Sequence, residues 1–153
     1  MKTRVFFATD LHSSEKTFLK FLNAAKYFKA DALILGGDLT GKMLVPIVEE
    51  SNGQYRTKFL GIENQIRDEK ELEDMKQRIR NNGYYFSVMN GEELEALKRD
   101  PKELDELFEK TMLDVISKWM ELAEGRLKGT STTLYVTGGN DDPLSIDDLL
   151  NSL

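Results

Sequence analysis

Two stretches decide the fold: Val5-Phe6-Phe7-Ala8-Thr9-Asp10-Leu11-His12 and Ala32-Leu33-Ile34-Leu35-Gly36-Gly37-Asp38. Their short apolar runs lack polar alternation, which predicts two strands that are buried on both faces. Between them, apolar residues recur at helical spacing, at Phe18, Phe21, Leu22, Ala25 and Phe28, and Ser13 or Ser14 is placed to cap that helix. A strand, a helix and a strand in this order form a βαβ unit with parallel strands and a right-handed crossover.

The middle of the chain predicts a hairpin and several helices. Asn52-Gly53 is a hairpin-turn signal between the strand-like residues 45–50 and 54–60. Residues 62–80 have apolar positions that suit one helix, residues 84–89 suit a short strand, and residues 92–99 suit a brief helix. Asp100-Pro101 then begins a long helix that runs towards Lys128.

The end of the chain returns to the pattern of its beginning. Residues 132–137 predict a strand that ends in Gly138-Gly139-Asn140, and Ser145 is placed to cap a final helix. The fold class is therefore α/β, with a mainly parallel sheet and flanking helices. We expect one domain over residues 1–153, in which residues 43–129 form an insertion of a hairpin and helices between two core strands.

Composition narrows the classes of function. The 153 residues are 40% hydrophobic and 31% charged, which is typical of a globular, soluble domain. The net charge of −6 opposes broad binding to nucleic-acid backbones, and the absence of cysteine excludes disulfides, thiolate-bound zinc and a cysteine nucleophile. No segment has the apolar length of a membrane helix or the pattern of a signal peptide, so the expected location is the cytoplasm.

Polar residues follow each of the three predicted core strands: Asp10 and His12, then Asp38, then Asn140. The carboxyl ends of parallel strands meet at one edge of a sheet, where ligands bind. Two carboxylates, an imidazole and an amide oxygen are suitable ligands for divalent metals. Each motif alone is more often a plain turn or a surface residue, and it is their combination after three strands that favours a metal site.

These motifs resemble those of the calcineurin-like metallophosphoesterases, which begin with Asp-X-His, then Gly-Asp, then Gly-Asn. Here they stand as Asp10-Leu11-His12, Gly37-Asp38 and Gly139-Asn140-Asp141. The resemblance covers the N-terminal half of a family member, outside the insertion. It implies half of an αββα sandwich and a dinuclear centre of manganese, iron, zinc or similar ions. By the same resemblance Asp10 and His12 bind the first metal, Asp38 bridges, and Asn140 binds the second.

Two departures from the family pattern change the functional expectation. Asp141 stands where the family usually has a histidine, so the catalytic role expected for it is to orient a water or a metal-bound histidine rather than to protonate a leaving group. The alternative is that Asp141 or Asp142 caps the final helix, because both precede Pro143. The family completes its metals with later histidines, whereas His12 is the one histidine of this chain. The sequence therefore predicts a metallophosphoesterase, a hydrolase of small phosphate esters, whose centre is incomplete in this chain.

Three alternatives remain open at this stage. A non-catalytic binding or interaction module with a phosphoesterase-like fold would also lack the later histidines. Nucleic acid is not excluded as a substrate. The insertion at residues 43–129 is either a cap that shapes the site or a group of helices with no role in it. Half of a sandwich leaves a sheet face or edge unpaired, so we also expect the chain to associate with itself.

Overall fold

The structure, a computed structural model, describes residues 2–152, and the chain folds as an α/β protein with two sheets. The elements follow in the order β1 (Val5–Ala8), α1 (Glu15–Phe28), β2 (Ala32–Gly36), β3 (Leu44–Glu49), β4 (Tyr55–Phe59), β5 (Ile62–Ile66), α2 (Glu69–Asn81), β6 (Tyr85–Met89), α3 (Gly91–Arg99), α4 (Pro101–Leu127), β7 (Thr133–Thr137) and α5 (Leu144–Ser152). No helix within residues 2–152 has both the length and the apolar character needed to cross a membrane.

The first sheet contains the βαβ unit that the N-terminal sequence predicts. Its order is β1-β2-β7, and both strand pairs are parallel. Ser14 caps α1 by accepting a hydrogen bond from the Thr17 amide. One face of this sheet packs against α1, α4 and α5 around fully buried side chains that include Phe18, Leu33, Leu35, Ile116 and Ile146.

The prediction that β1 and β2 are buried on both faces is wrong. Val5 and Phe7 alternate with the inward-facing Phe6 and Ala8, and they are 51% and 60% exposed. In β2, Ile34 is only partly buried on the same face. The reason is that the helices cover one side of the sheet, and no described element covers the other.

The second sheet has the order β5-β4-β3-β6, in which β3 and β6 are parallel and the other pairs are antiparallel. The hairpin predicted at Asn52-Gly53 joins β3 to β4. The sheet packs against α2 in a second core of Val45, Ile47, Phe59, Ile66, Leu72, Met75 and Ile79. The long helix α4 returns to the first core, where Trp119 stacks on Phe18 with ring centroids 4.3 Å apart.

Two predicted element boundaries are wrong. Residues 62–66 belong to a strand, because Leu60 and Gly61 both adopt left-handed backbone and turn the chain back onto β4. The helix begins only at Glu69, where Asp68 caps it. Ser145 does not cap α5, since that helix begins one residue earlier, at Leu144.

Candidate metal centre

The loops after β1 and β2 run side by side and are joined by backbone hydrogen bonds. The Asp10 amide donates to the Gly37 carbonyl at 3.2 Å, and the His12 amide donates to the Asp38 carbonyl at 3.0 Å. The Ser13 amide continues the ladder by donating to the Leu39 carbonyl at 2.7 Å. This pairing brings side chains that are 26–28 positions apart in sequence to one edge of the sheet.

Asp10, His12 and Asp38 form one cluster at this edge. Each offers a ligand atom, and these atoms all lie within 4.8 Å of one another. His12 Nε2 lies 3.7 Å from Asp10 Oδ1. Asp10 and His12 are two residues apart, which on an extended segment would direct both side chains to the same side, but the segment is not extended. Their φ angles of 58° and 43° are left-handed, so the chain coils and still presents both side chains to Asp38.

The three side chains fit a divalent cation. Two carboxylates and an imidazole are a common ligand set, and they are far enough apart to surround an ion rather than bond to each other. His12 Nδ1 is buried without a hydrogen-bond partner among residues 2–152, whereas a metal-bound histidine usually donates its second ring N–H to an oxygen, so no described residue holds the ring with Nε2 directed at a metal.

Glycines bring the loops after β2 and β7 together behind Asp38. A Cβ atom on Gly37 would lie 2.6 Å from the Gly139 Cα atom, and one on Gly139 would clash with the Asp38 backbone and carboxylate. Gly37 also has a φ of 93°. Side chains at these two positions would separate the loops, so the close approach of Asp38 to the Gly139 loop depends on both glycines.

The loop after β7 brings Asn140 and Asp141 beside the cluster without adding Asn140 to it. The Asp141 amide donates to Asp38 Oδ1 at 3.2 Å. The Asn140 side chain is exposed, and its amide nitrogen donates to Asp141 Oδ1 at 3.3 Å. Within the described chain, no hydrogen bond joins the Asn140 side chain to Asp10, His12 or Asp38.

Asp141 is paired with Lys42, a residue that the sequence argument missed. Lys42 Nζ lies 2.7 Å from Asp141 Oδ2. This hydrogen bond and the charge of Lys42 hold the pKa of Asp141 below its usual range, with a smaller contribution from His12. The pKa of Lys42 is raised by the same bond and charge, and to a lesser extent by Asp38. Lys42 follows Asp38 by four residues, but nothing in the local sequence indicates the direction of its side chain.

Asp142 holds the loops together by hydrogen bonds, a role that the sequence argument did not assign to it. Its carboxylate accepts hydrogen bonds from the amides of Leu39 (3.0 Å), Thr40 (2.9 Å) and Gly139 (2.9 Å), and from the Thr40 hydroxyl (2.7 Å). Burial alone would raise the pKa of Asp142, but these donors together lower it. The alternative that Asp141 or Asp142 caps α5 is therefore wrong, since both carboxylates bond elsewhere.

The residues before β6 support the His12 loop from behind. A Cβ atom on Gly83 would clash with the His12 carbonyl oxygen. The Ser14 hydroxyl donates to the Asn81 carbonyl at 2.9 Å, and Arg80 Nε lies 2.8 Å from Glu15 Oε2. The inserted residues thus hold the loop that carries His12 in place.

Comparisons of the chain with family models, curated proteins and solved structures found no match. The resemblance to calcineurin-like metallophosphoesterases therefore remains a prediction from the sequence motifs.

Proposed function

We propose that this chain carries part of the centre of a metal-dependent phosphoesterase, and that the completed centre acts on small phosphate esters in the cytoplasm. The observation that supports this most is the convergence of Asp10, His12 and Asp38 at the carboxyl edge of a parallel sheet. A site of this kind binds manganese, iron, zinc or a similar ion. Divalent ions there supply an activated water and neutralise charge on a phosphate.

The residues of the chain have distinct roles in this proposal. Asp10, His12 and Asp38 hold the metal, and the exposed Asn140 in the loop after β7 is a candidate ligand for a second ion. Asp142 and the glycines keep the three loops together. Asp141 is a carboxylate whose pKa Lys42 lowers further below its ordinary value, so it positions Lys42 and does not protonate a leaving group.

We assign Lys42 to the phosphate group of the substrate. Its side chain is 70% exposed, and its ammonium lies beside Asp141 at the edge of the acidic cluster. An anion meets three or more carboxylates there, so its binding requires a bound cation first. Lys42 then offers the neighbouring positive charge and the two N–H donors that Asp141 does not use to a phosphate oxygen.

The metal-binding part of the proposal is tested by isothermal titration of this chain with Mn²⁺. We expect saturable binding that weakens at least tenfold in Asp38→Asn, because the variant loses a charged ligand. Asp148→Asn, which removes an exposed carboxylate on α5, serves as the matched control and should bind like the wild type. Equal binding by wild type and Asp38→Asn would refute the site.

A non-catalytic interaction module is the second candidate, because His12 is the one histidine available to the centre. The absence of any heat of binding in the Mn²⁺ titration would favour this interaction module. The phosphoesterase proposal expects little or no turnover of an artificial phosphodiester by this chain with Mn²⁺, since its ligand set is incomplete. Robust turnover would show that the chain needs no further ligands.

The assignment of Lys42 is tested by titrating inorganic phosphate into the Mn²⁺-loaded chain. We expect phosphate affinity to fall about tenfold in Lys42→Ala, the effect of one charge-assisted hydrogen bond. The affinity for Mn²⁺ should stay within about threefold of the wild type, because Lys42 is not a ligand. Lys20→Ala, an exposed lysine on α1, is the control. Unchanged phosphate affinity in Lys42→Ala contradicts the assignment without affecting the metal site.

A further inference from the structure

A small cavity lies between the inserted residues and the first core, and none of Asp10, His12 and Asp38 lines it. It is bounded by the start of α1, by β6 and the residue before it, and by the middle of α4. Its mostly aromatic walls include Tyr84, Tyr85, Phe86, Val115 and Trp119. The volume of about 240 Å³ has room for roughly eight water molecules, or for one organic molecule with a single ring. We call it the Trp119 cavity.

The walls of the Trp119 cavity are held in place by contacts outside it. Trp119 is 5% exposed and stacks on Phe18, with ring centroids 4.3 Å apart. Tyr85 is 1% exposed and meets Phe108 edge-on, with ring centroids 5.4 Å apart. A ligand therefore enters a preformed cavity and loses little free energy to rearrangement of these rings.

Two opposite charges at the mouth of the cavity have no partner within residues 2–152. Asp114 and Lys118 line the cavity from α4 and are exposed, and neither forms an ion pair or a hydrogen bond with another described residue. They are four residues apart with the acid first, the spacing and order that favour an ion pair on a helix. Lys102 and Glu106, four apart on the same helix, do approach to 3.8 Å. Asp114 and Lys118 are therefore available to a ligand that carries both charges.

The other two charged side chains that line the cavity offset each other. Arg80 Nε lies 2.8 Å from Glu15 Oε2, and Arg80 Nη2 donates to Gln77 Oε1 at 3.0 Å. This side of the cavity adds no net charge. A ligand that is neutral overall, with one positive and one negative group, therefore matches the cavity best.

We propose that the Trp119 cavity binds a zwitterion with an apolar side chain, a free α-amino acid of the size of phenylalanine. The ammonium group bonds to Asp114, the carboxylate bonds to Lys118, and the side chain lies among the aromatic walls. Side chains four residues apart on a helix have Cβ atoms about 5–6 Å apart, so one amino acid reaches both charges. This site is separate from the proposed phosphoesterase centre and does not depend on it.

The proposal is tested by titrating L-phenylalanine into the ¹⁵N-labelled chain and following the amide resonances by NMR. We expect saturable shifts at the residues that line the cavity, with a Kd of about 1 mM, as suits a ligand with so few atoms. Lys118→Gln should weaken binding about three- to fivefold, the effect of one exposed ion pair. Lys110→Gln changes an exposed lysine of α4 outside the cavity, so it is the matched control and should bind like the wild type.

Two probes that each lack one charge test the preference for a zwitterion. Phenethylamine lacks the carboxylate and 3-phenylpropionate lacks the ammonium group, so each should bind at least about threefold more weakly than L-phenylalanine. Lys118→Gln should not weaken the binding of phenethylamine, because this probe has no carboxylate to contact Lys118.

Three results would overturn the proposal. L-Phenylalanine at about 20 mM that shifts no resonance of the lining residues shows that the cavity is not an amino-acid site. Equal affinity of wild type and Lys118→Gln for L-phenylalanine shows that Lys118 does not hold the carboxylate. A probe with one charge that binds as tightly as L-phenylalanine shows that the cavity does not select zwitterions. None of these results bears on Mn²⁺ binding, so the metal site stands or falls separately.

Discussion

Left-handed backbone occurs at several places in this molecule, and two of them, the turns of the second sheet and the candidate metal centre, differ in the residues that adopt it. In the exposed turns of the second sheet, Gly53 (φ 73°) and Gly61 (φ 79°) have open space around them, and Leu60 (φ 51°) is the exception. At the candidate metal centre the same conformation is taken by residues with side chains: Asp10, His12, Ser13 and Asp38.

The difference indicates what each region is built for. Glycine adopts left-handed backbone without strain, whereas most other residues lose about 1–2 kcal/mol, and aspartate somewhat less. The turns of the second sheet therefore use mainly glycine. Four non-glycine residues in this conformation at one sheet edge indicate that their side chains are needed there, and such strain is typical of functional sites.

The largest expected effect comes from a matched pair of glycine substitutions, Gly37→Ala and Gly53→Ala. Both positions have positive φ, but only at Gly37 does a Cβ atom meet backbone, at 2.6 Å from Gly139 Cα. We expect Gly53→Ala to lower the free energy of unfolding by about 1 kcal/mol and Gly37→Ala by about 3 kcal/mol or more, because overpacking adds to the strain. Urea unfolding measures both, and equal losses would contradict the comparison.

Asp142→Asn should have the next largest effect, a loss of about 2 kcal/mol at neutral pH. The variant keeps one acceptor oxygen in place of a carboxylate that accepts four hydrogen bonds. Asp148→Asn on the exposed side of α5 is the control and should be nearly neutral.

The advantage of wild type over Asp142→Asn should depend on pH in one direction. The pKa of Asp142 is lower in the folded chain than in the unfolded chain, where it is about 3.9. The carboxylate therefore contributes its full stability above about pH 5, and the contribution is lost as the pH falls through the folded pKa. Urea unfolding of both proteins between neutral and acid pH measures this, and a difference that grows towards acid would contradict it.

The smallest expected effect comes from Leu60→Gly and Asp10→Gly. This pair of variants distinguishes backbone strain from metal binding. Each change removes a left-handed residue with a side chain, so we expect each to raise the free energy of unfolding of the metal-free chain by about 0.5 kcal/mol. Asp10→Gly also relieves repulsion with Asp38. Thermal melts with Mn²⁺ should distinguish the two, because Leu60→Gly keeps the shift caused by the metal and Asp10→Gly loses it.

Local patterns were enough to predict the βαβ unit and the hairpin at Asn52-Gly53. In both segments the spacing of apolar residues changes at a turn signal, and elements that follow each other in sequence also pack against each other. Residues 62–66 were misassigned because a short apolar spacing suits a helix as well as a strand. The left-handed turn at Leu60-Gly61 makes residues 62–66 a strand rather than a helix. The sequence does not signal this turn, because leucine is rare in left-handed backbone.

The candidate site was predictable where it depends on strand ends and not where it depends on loops. Asp10, His12 and Asp38 lie within four residues of strand ends, so the pairing of β1 with β2 places the loops that carry them side by side. Lys42 and Asp142 reach the site through loops whose paths are set by Gly37, Gly139 and tertiary hydrogen bonds. The open face of the first sheet was also missed in the strand assignment, because apolar strand residues do not reveal what covers them.

An anomalous difference map at the manganese edge tests the central claim most directly, using crystals of this chain grown with Mn²⁺. We predict a peak among Asp10, His12 and Asp38, about 2.0–2.3 Å from a carboxylate oxygen of each aspartate and from His12 Nε2. A map that shows manganese elsewhere on the protein and none among these three side chains would contradict the account.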